Sequence, residues 1–486
     1  MTDVFLESGQ SQILSFNGPI RTGLFLESKT FLVDGYQEFQ KEFMNTLSGS
    51  ASGVWGASNF MTYSDGSEVQ RDTVRGQPII PQYFISRILK NTSLMEALEQ
   101  LELPGQLDAL PFRDEDAPPP TLEEIEENKE LPPPATFLIS QIEIRMNDFG
   151  YGSVIFSGAL RANQDLGILE VKEAGKCISD QLEVFTPLFR STFETVWTHT
   201  PSDILSNAAF VSNIKAKQNN QYLGRNKEIG TMVNAIRIFE VPCPDEETFI
   251  KYRDHYVEKL FARDEKFIED ASLDKENMAI FIGHGNHIVV YREQKVTHWQ
   301  RSLLRRAMQV KNVFYTMFEE VSENLIHINS SISLDDAHPN PSLLEEKARI
   351  LAEYRARSEF FRAVYDDYDN HLDPQSLKIW RVVEETWETE DRNYALKNQL
   401  DLAGSIHDRL MQDLDHTHNK KVGSFILVFT VLGMLSVIMD LVDFTQEGSL
   451  TSPDTLRLVL MCLLILLAFL FSFRIRFKSE SRASIS

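Results

Sequence analysis

VGSFILVFTVLGMLSVIM, residues Val422–Met439, carries no charge, and neither does LVLMCLLILLAFLFSF at Leu458–Phe473. With its flanks, each run approaches the roughly 20 apolar residues a helix needs to cross the hydrocarbon core of a bilayer. Between them lies DLVDFTQEGSLTSPDTLR, too short for a folded domain. The pair reads as a transmembrane hairpin, and the lipid bilayer is the first partner the sequence implies.

The flanks set its direction. Lys420 and Lys421 precede the first run, and Arg474, Arg476 and Lys478 follow the second. The loop between holds Asp440, Asp443, Glu447 and Asp454 against Arg457 alone. The positive-inside rule puts both flanks in the cytoplasm and the acidic loop outside. MTDVFLESGQSQ, at the start, lacks the basic residues and apolar core of a signal peptide. The expectation is a multi-pass protein of the cell (inner) membrane with N- and C-termini in the cytoplasm.

Composition narrows the rest. A chain of 486 residues has room for two or three domains. Its net charge of −23 argues against nucleic acid, which needs a basic footprint. Cys177, Cys243 and Cys462 are too scattered for a disulfide framework or a zinc site. A phosphate-binding glycine loop, a nucleophile elbow and an HExxH motif are all missing, so the expectation is that the chain is no enzyme.

Working back from the first apolar run, Leu396, Leu400, Ala403, Ile406, Leu410 and Leu414 recur at spacings of three and four, the seam of a packed helix. No proline interrupts the chain from Pro374 to Pro453, so one helix is expected from Pro374 to Asp440, about 100 Å long at 1.5 Å per residue. Before it come two more helical stripes: Leu303, Val310, Phe314, Met317, Val321, Leu325 and Ile328, then Leu344, Leu351, Tyr354, Phe361 and Val364. Pro341 and Pro374 suit first-turn positions.

Earlier still, Thr136–Met146 and Ser153–Leu160 flank NDFGYG as a β-hairpin. Leu166–His199 reads as a helix kinked at Pro187, Ala235–Val241 as a strand, Asp245–Phe261 as an amphipathic helix and Ala279–Tyr291 as a hairpin. His284 and His287 at its Gly-His-Gly-Asn turn could suggest a metal, but residues tolerating positive φ explain the turn more simply. The predicted fold is an α+β cytoplasmic domain, a long helical stalk and a C-terminal two-helix transmembrane hairpin. Its divisions are an N-terminal α/β region at 1–102, an acidic Pro-rich linker at 103–135, an α/β domain at 136–297, a helical pair and stalk at 298–421, the hairpin at 422–474 and a basic cytoplasmic tail at 475–486.

This order of parts, with ALKNQLDLAGSIHDRLMQDLDHTHNKKVGSFILVFTVLGMLSVIM as a stalk entering a first span, resembles the CorA-like divalent-cation channels and transporters over roughly residues 136–486. Asn419 is similar to a polar residue many members carry before the span. The family's Gly-Met-Asn signature at the outer end of that span is missing: the chain reads Met439-Asp440-Leu441-Val442-Asp443 there, and Gly433-Met434-Leu435 sits mid-span. The resemblance implies a homo-oligomer, by analogy a pentamer, and Mg²⁺ or another divalent cation as transported or regulatory ion. It also implies an inner basic collar, here Lys420, Lys421, Arg474, Arg476 and Lys478. An acidic gate tip between the two shorter helices would be Asp335 and Asp336.

Gly423, Ile426, Thr430, Gly433, Val437 and Asp440 share one helix face at spacings of three and four. They could line a pore, with Asp440, Asp443 and Glu447 at its outer mouth; small residues equally suit ordinary helix packing in a membrane. His416 and His418 are two apart and do not share a face. Three functions follow: an oligomeric cation channel or transporter gated by its cytoplasmic domain, a signal-activated effector taking a small ligand such as a nucleotide messenger without selective Mg²⁺ transport, or a non-conducting membrane-anchored scaffold.

Overall fold

The computed structural model describes residues 4–25, 36–57, 60–63, 68–70, 85–109, 132–147, 149–200, 230, 232, 235–256, 269–270, 276–334, 341–372 and 374–446. In chain order the elements begin with β1 (Val4–Leu6), β2 (Ser11–Phe25), α1 (Tyr36–Ser50), β3 (Val54–Ala57), β4 (Phe60–Tyr63), β5 (Glu68–Gln70), β6 (Ile85–Lys90) and α2 (Asn91–Gln100). Next come β7 (Gln106–Asp108), β8 (Ala135–Met146), β9 (Phe149–Ala162), β10 (Leu166–Gly167), α3 (Ile168–Gln181), α4 (Thr186–His199), β11 (Ile236–Cys243) and α5 (Glu246–Lys251). Then follow β12 (Glu269–Asp270), β13 (Met278–Ile282), β14 (Asn286–Arg292), α6 (His298–Leu334), α7 (Pro341–Tyr368), α8 (Pro374–Thr386) and α9 (Thr389–Gln446).

Two compact units divide the chain: Met1–Ser331 with Tyr354–Leu402, and Ile332–Glu353 with Ala403–Ser486. The first is a mixed α and β domain. Its main sheet runs β12-β13-β14-β11-β2-β9-β8-β6-β3-β4-β5, with β7 also paired to β8. Every pair is antiparallel except β11 with β14. The division between 1–102 and 136–297 is corrected here: β2, from the first stretch, lies between β9 and β11 of the second, so both build one sheet. Within the expected linker, β7 joins that sheet and buries Leu107; residues 110–131 lie outside the described residues.

Strand alternation sends side chains to two cores. Phe239, Val241, Ile288 and Val290 face one in which α1 to α4 pack, with Phe43, Leu47, Leu98, Val171 and Phe193. Ile236, Ile238, Ile280, Val289 and Tyr291 face the other, covered by Leu303, Leu304 and Met308 of α6 and Ile379, Val383 and Trp387 at the α8 end. At 25 cal/mol per Å² of apolar area, such two-sided burial is the main favourable term holding the sheet.

Three predicted elements differ. The helix expected over Leu166–His199 is two, because a 3-10 turn at Leu182–Phe185 separates α3 from α4, and Pro187 opens α4 rather than kinking a longer helix. The amphipathic helix expected over Asp245–Phe261 is α-helical to Lys251 and then passes into a π turn at Tyr252–Tyr256; residues 257–261 lie outside the described residues. The helix expected from Pro374 to Asp440 breaks between α8 and α9. There Glu388 has φ 51°, and the Trp387 indole N–H donates to the Gly283 carbonyl at 3.0 Å. That anchor stops the helix although no proline does.

The Gly-His-Gly-Asn turn also differs in its reason. Its residues Gly283 to Asn286 are not among the positive-φ positions, which fall at Gly9, Gly53, Gly150, Gly230, Asn91, Glu102 and Glu388 among the described residues. His284 is exposed, whereas His287 is fully buried against Trp387, ring centroids 5.9 Å apart.

Candidate functional site

Two places carry unusual chemistry, one in each unit. The first begins with a helix cap. Thr297 N–H donates to Gln300 Oε1 at 2.9 Å, and Gln300 N–H donates to Thr297 Oγ1 at 3.3 Å. This reciprocal box satisfies donors that a helix start leaves open and sets where α6 begins. His298, Arg301, Ser302 and Arg305 follow at i, i+3, i+4 and i+7, hence on one face. That face looks onto the sheet.

Beneath it is a cavity of about 500 Å³. Ile13 and Ser15 of β2, Leu138 and Ser140 of β8, Ser157 and Ala159 of β9, and Glu240 of β11 line it with those α6 residues. Register explains the grouping: Ile13 pairs with both Glu240 and Ala159, while Ser15 pairs with Ser157. A bulge between Ile139 and Gln141 turns Ser140 so that its hydroxyl donates to the Ser157 carbonyl at 2.9 Å. Bulges commonly re-aim side chains in this way. Gly158 is required behind this wall, since a Cβ there would meet the Leu138 carbonyl oxygen at 2.2 Å.

The polar groups are incompletely matched. Glu240 is nine-tenths buried (8% exposed), yet among the described residues its carboxylate has neither a hydrogen bond nor an ion pair. Burial raises its pKa, opposed by the charges of Arg305, Arg301 and His298. Arg301 donates to the Tyr291 hydroxyl at 3.1 Å and lies 5.1 Å over that ring, while its Nε finds no partner. Ser15 Oγ and Ser157 Oγ are buried without hydrogen-bond partners. Buried polar atoms are paired in the great majority of cases, so this concentration marks the cavity.

Sequence reading did not find this site. Its signals are present: a carboxylate at Glu240 on the strand face that otherwise shows Ile236 and Ile238, and basic residues at helical spacing directly after a Thr-x-x-Gln cap.

The second place is the far part of α9. Gly423, Ile426, Thr430, Gly433, Val437 and Asp440 fall within an arc of about 100° at 100° per residue. Within the chain Thr430 and Val437 of that arc, and Met434 beside it, are half-buried, whereas Ile426 in the arc is 55% exposed and Met439 on the far face 66%. Cβ atoms built on Gly423 and Gly433 would meet nothing within 4 Å. Thr430 Oγ1 donates back to the Ile426 carbonyl at 2.6 Å, and Ser424 Oγ to that of Lys420 at 2.9 Å. Both hydroxyls are therefore satisfied within the helix, as apolar surroundings require. The segment is long and apolar enough to cross a membrane, and none of its most apolar window is buried.

His416, His418, Asn419, Lys420 and Asp440 are exposed along α9, and Lys421 and Asp443 belong to the same helix. Asp335, Asp336, Glu447, the second apolar run at 458–473, Arg474, Arg476 and Lys478 lie outside the described residues. Among the described residues no cluster of three or more His, Cys, Asp or Glu side chains could hold a metal ion.

No protein-family model matches the chain, and no curated protein sequence matches it. Among solved structures the chain is similar to the CorA magnesium transporter from Methanocaldococcus jannaschii, at 11% identity over 49% of this chain and 89% of that one, with a TM-score of 0.20. Likeness at that level supports no transfer of residues or mechanism.

Proposed function

We propose that the chain is a CorA-like integral membrane protein, an oligomeric channel or transporter for Mg²⁺ or another divalent cation, gated by its cytoplasmic domain and without enzymatic activity of its own. The observation that carries this reading is the apolar surface of α9 from Val422 to Met439, none of whose described side chains is buried and most of which are exposed. Water makes such a surface costly at about 25 cal/mol per Å², and lipid or other copies of the chain remove that cost. The companion span is Leu458–Phe473, with both termini on the cytoplasmic side. Copies of Thr430, Gly433, Val437 and Asp440 around a shared axis form the conduit, a pentamer by resemblance. The measurement is cation flux from proteoliposomes holding a verified oligomer; a verified oligomer that passes none sinks the proposal.

A second reading, a signal-activated effector that opens or disrupts the membrane without selective Mg²⁺ transport, is favoured by the cavity over Glu240, since a stored ligand site suits a signal. It is separated from the first by growth: toxicity only in the presence of a signal-producing partner belongs to the effector.

A further inference from the structure

We infer that the cavity between β11, β2, β9, β8 and the opening turns of α6 binds a small organic anion whose body carries hydroxyl or amino groups, either a phosphate ester or a carboxylate. The inference concerns the α/β domain and stands whether or not α9 conducts ions. A volume of about 500 Å³ lies inside the range of small-molecule sites.

The walls divide by chemistry. Arg301 and Arg305 sit one helical turn apart on the α6 side, and a planar guanidinium matches a phosphate or carboxylate group. Among the described residues Arg305 has no hydrogen bond or ion pair, so its donors are available. Opposite, Glu240 and the buried, unpartnered Ser15 hydroxyl can meet hydroxyl or amino groups. Ile13 and Leu138, 37% and 39% exposed, supply an apolar floor.

A structural role would close these groups on each other. Instead Glu240 makes no ion pair with Arg301 or Arg305, in a region where leaving a carboxylate unpaired is costly. Two guanidiniums against one carboxyl also give the site the opposite sign to the chain's net −23, so local charge rather than overall charge selects the ligand.

The test uses the full chain in detergent, titrated calorimetrically with AMP, ribose 5-phosphate and gluconate, and with inorganic phosphate and adenosine as fragments. The expected result is binding of at least one of the three organic anions, tighter than either fragment; gluconate against the two phosphate esters tells which anion is read. Arg305→Gln lowers that affinity about tenfold or more, whereas Arg355→Gln, at an exposed helix pair, leaves it unchanged. Ala159→Leu fills the cavity without altering a charge and abolishes binding. Circular dichroism and the thermal midpoint check that each variant folds. If none of the three anions binds at millimolar concentration, or if binding survives both Arg305→Gln and Ala159→Leu, the inference is overturned.

Discussion

Lys311 Nζ donates to Glu384 Oε1 at 2.9 Å, with the lysine side chain wholly inaccessible. The same ammonium donates to Tyr365 Oη at 2.8 Å and lies 3.9 Å from the centre of the Trp380 ring. Tyr365 in turn donates to Glu384. One buried cation thus ties α6, α7 and α8 together inside a cage that includes Phe314, Phe318 and Tyr368. Burial lowers the lysine's pKa to about 8, and Glu384 works against that shift.

Removing one member of such a pair leaves the other charge buried and alone, at a cost of about 3–5 kcal/mol. Lys311→Met is therefore expected to lower the denaturant midpoint, read by Trp fluorescence. Adding Glu384→Gln recovers most of the loss.

The pair also gives a pH signature. Between about 8 and the ordinary 10.5, the unfolded lysine holds a proton that the folded one has released. Stability rises with pH in that window as the cost of burying a charge is relieved. Because Tyr365 and Tyr368 are shifted upward by burial and weaken the fold at still higher pH, the comparison belongs at pH 7.5 to about 9.5. Wild type minus Lys311→Met isolates the slope.

His287 titrates on the acid side. Burial lowers its pKa from 6.5 to about 3, so the folded ring is neutral where the unfolded one is charged. Its contribution is complete above pH 6.5 and is lost as pH falls towards 3, with a slope of at most about 1.4 kcal/mol per pH unit. His287→Phe is expected to flatten that part of a stability–pH curve, and a curve equally steep in the variant contradicts the assignment.

Glu388 holds the left-handed conformation that ends α8 and starts α9. Glycine adopts it without a Cβ penalty of about 1 kcal/mol. Glu388→Gly is expected to keep or modestly raise thermal stability, while Glu388→Val lowers it by more than 1 kcal/mol or so.

Asp440 tests the proposed pore. Asp440→Ala is expected to reduce divalent-cation flux from proteoliposomes about tenfold while leaving the oligomer intact. Asp440→Glu, which keeps the carboxylate, retains most of the flux.

Local chemistry was readable in the sequence, and distant pairing was not. Helices open at Pro341 and Pro374 because a fixed φ and a missing N–H suit the first turn. The β8–β9 and β13–β14 hairpins follow from alternation around short turns. That β2 would lie between β9 and β11 has no local sign, since its alternation fits several neighbours. The break at Glu388 depends on Trp387 reaching Gly283, over a hundred residues earlier. The cavity was missed for the same reason: Ser15, Glu240 and Arg305 become neighbours only through sheet register and the crossing of α6.

The central place of β2 also sets an order of events on the ribosome. The strand ends at Phe25, but β9 begins at Phe149 and β11 ends at Cys243. At about 5–20 residues per second, β2 waits roughly ten to forty seconds for both edges to be satisfied. During that interval its bare edges are open to pairing with the wrong chain. Nascent-chain chaperoning over the first half of synthesis, well before the apolar part of α9 emerges, is what this topology demands of the cell that makes it.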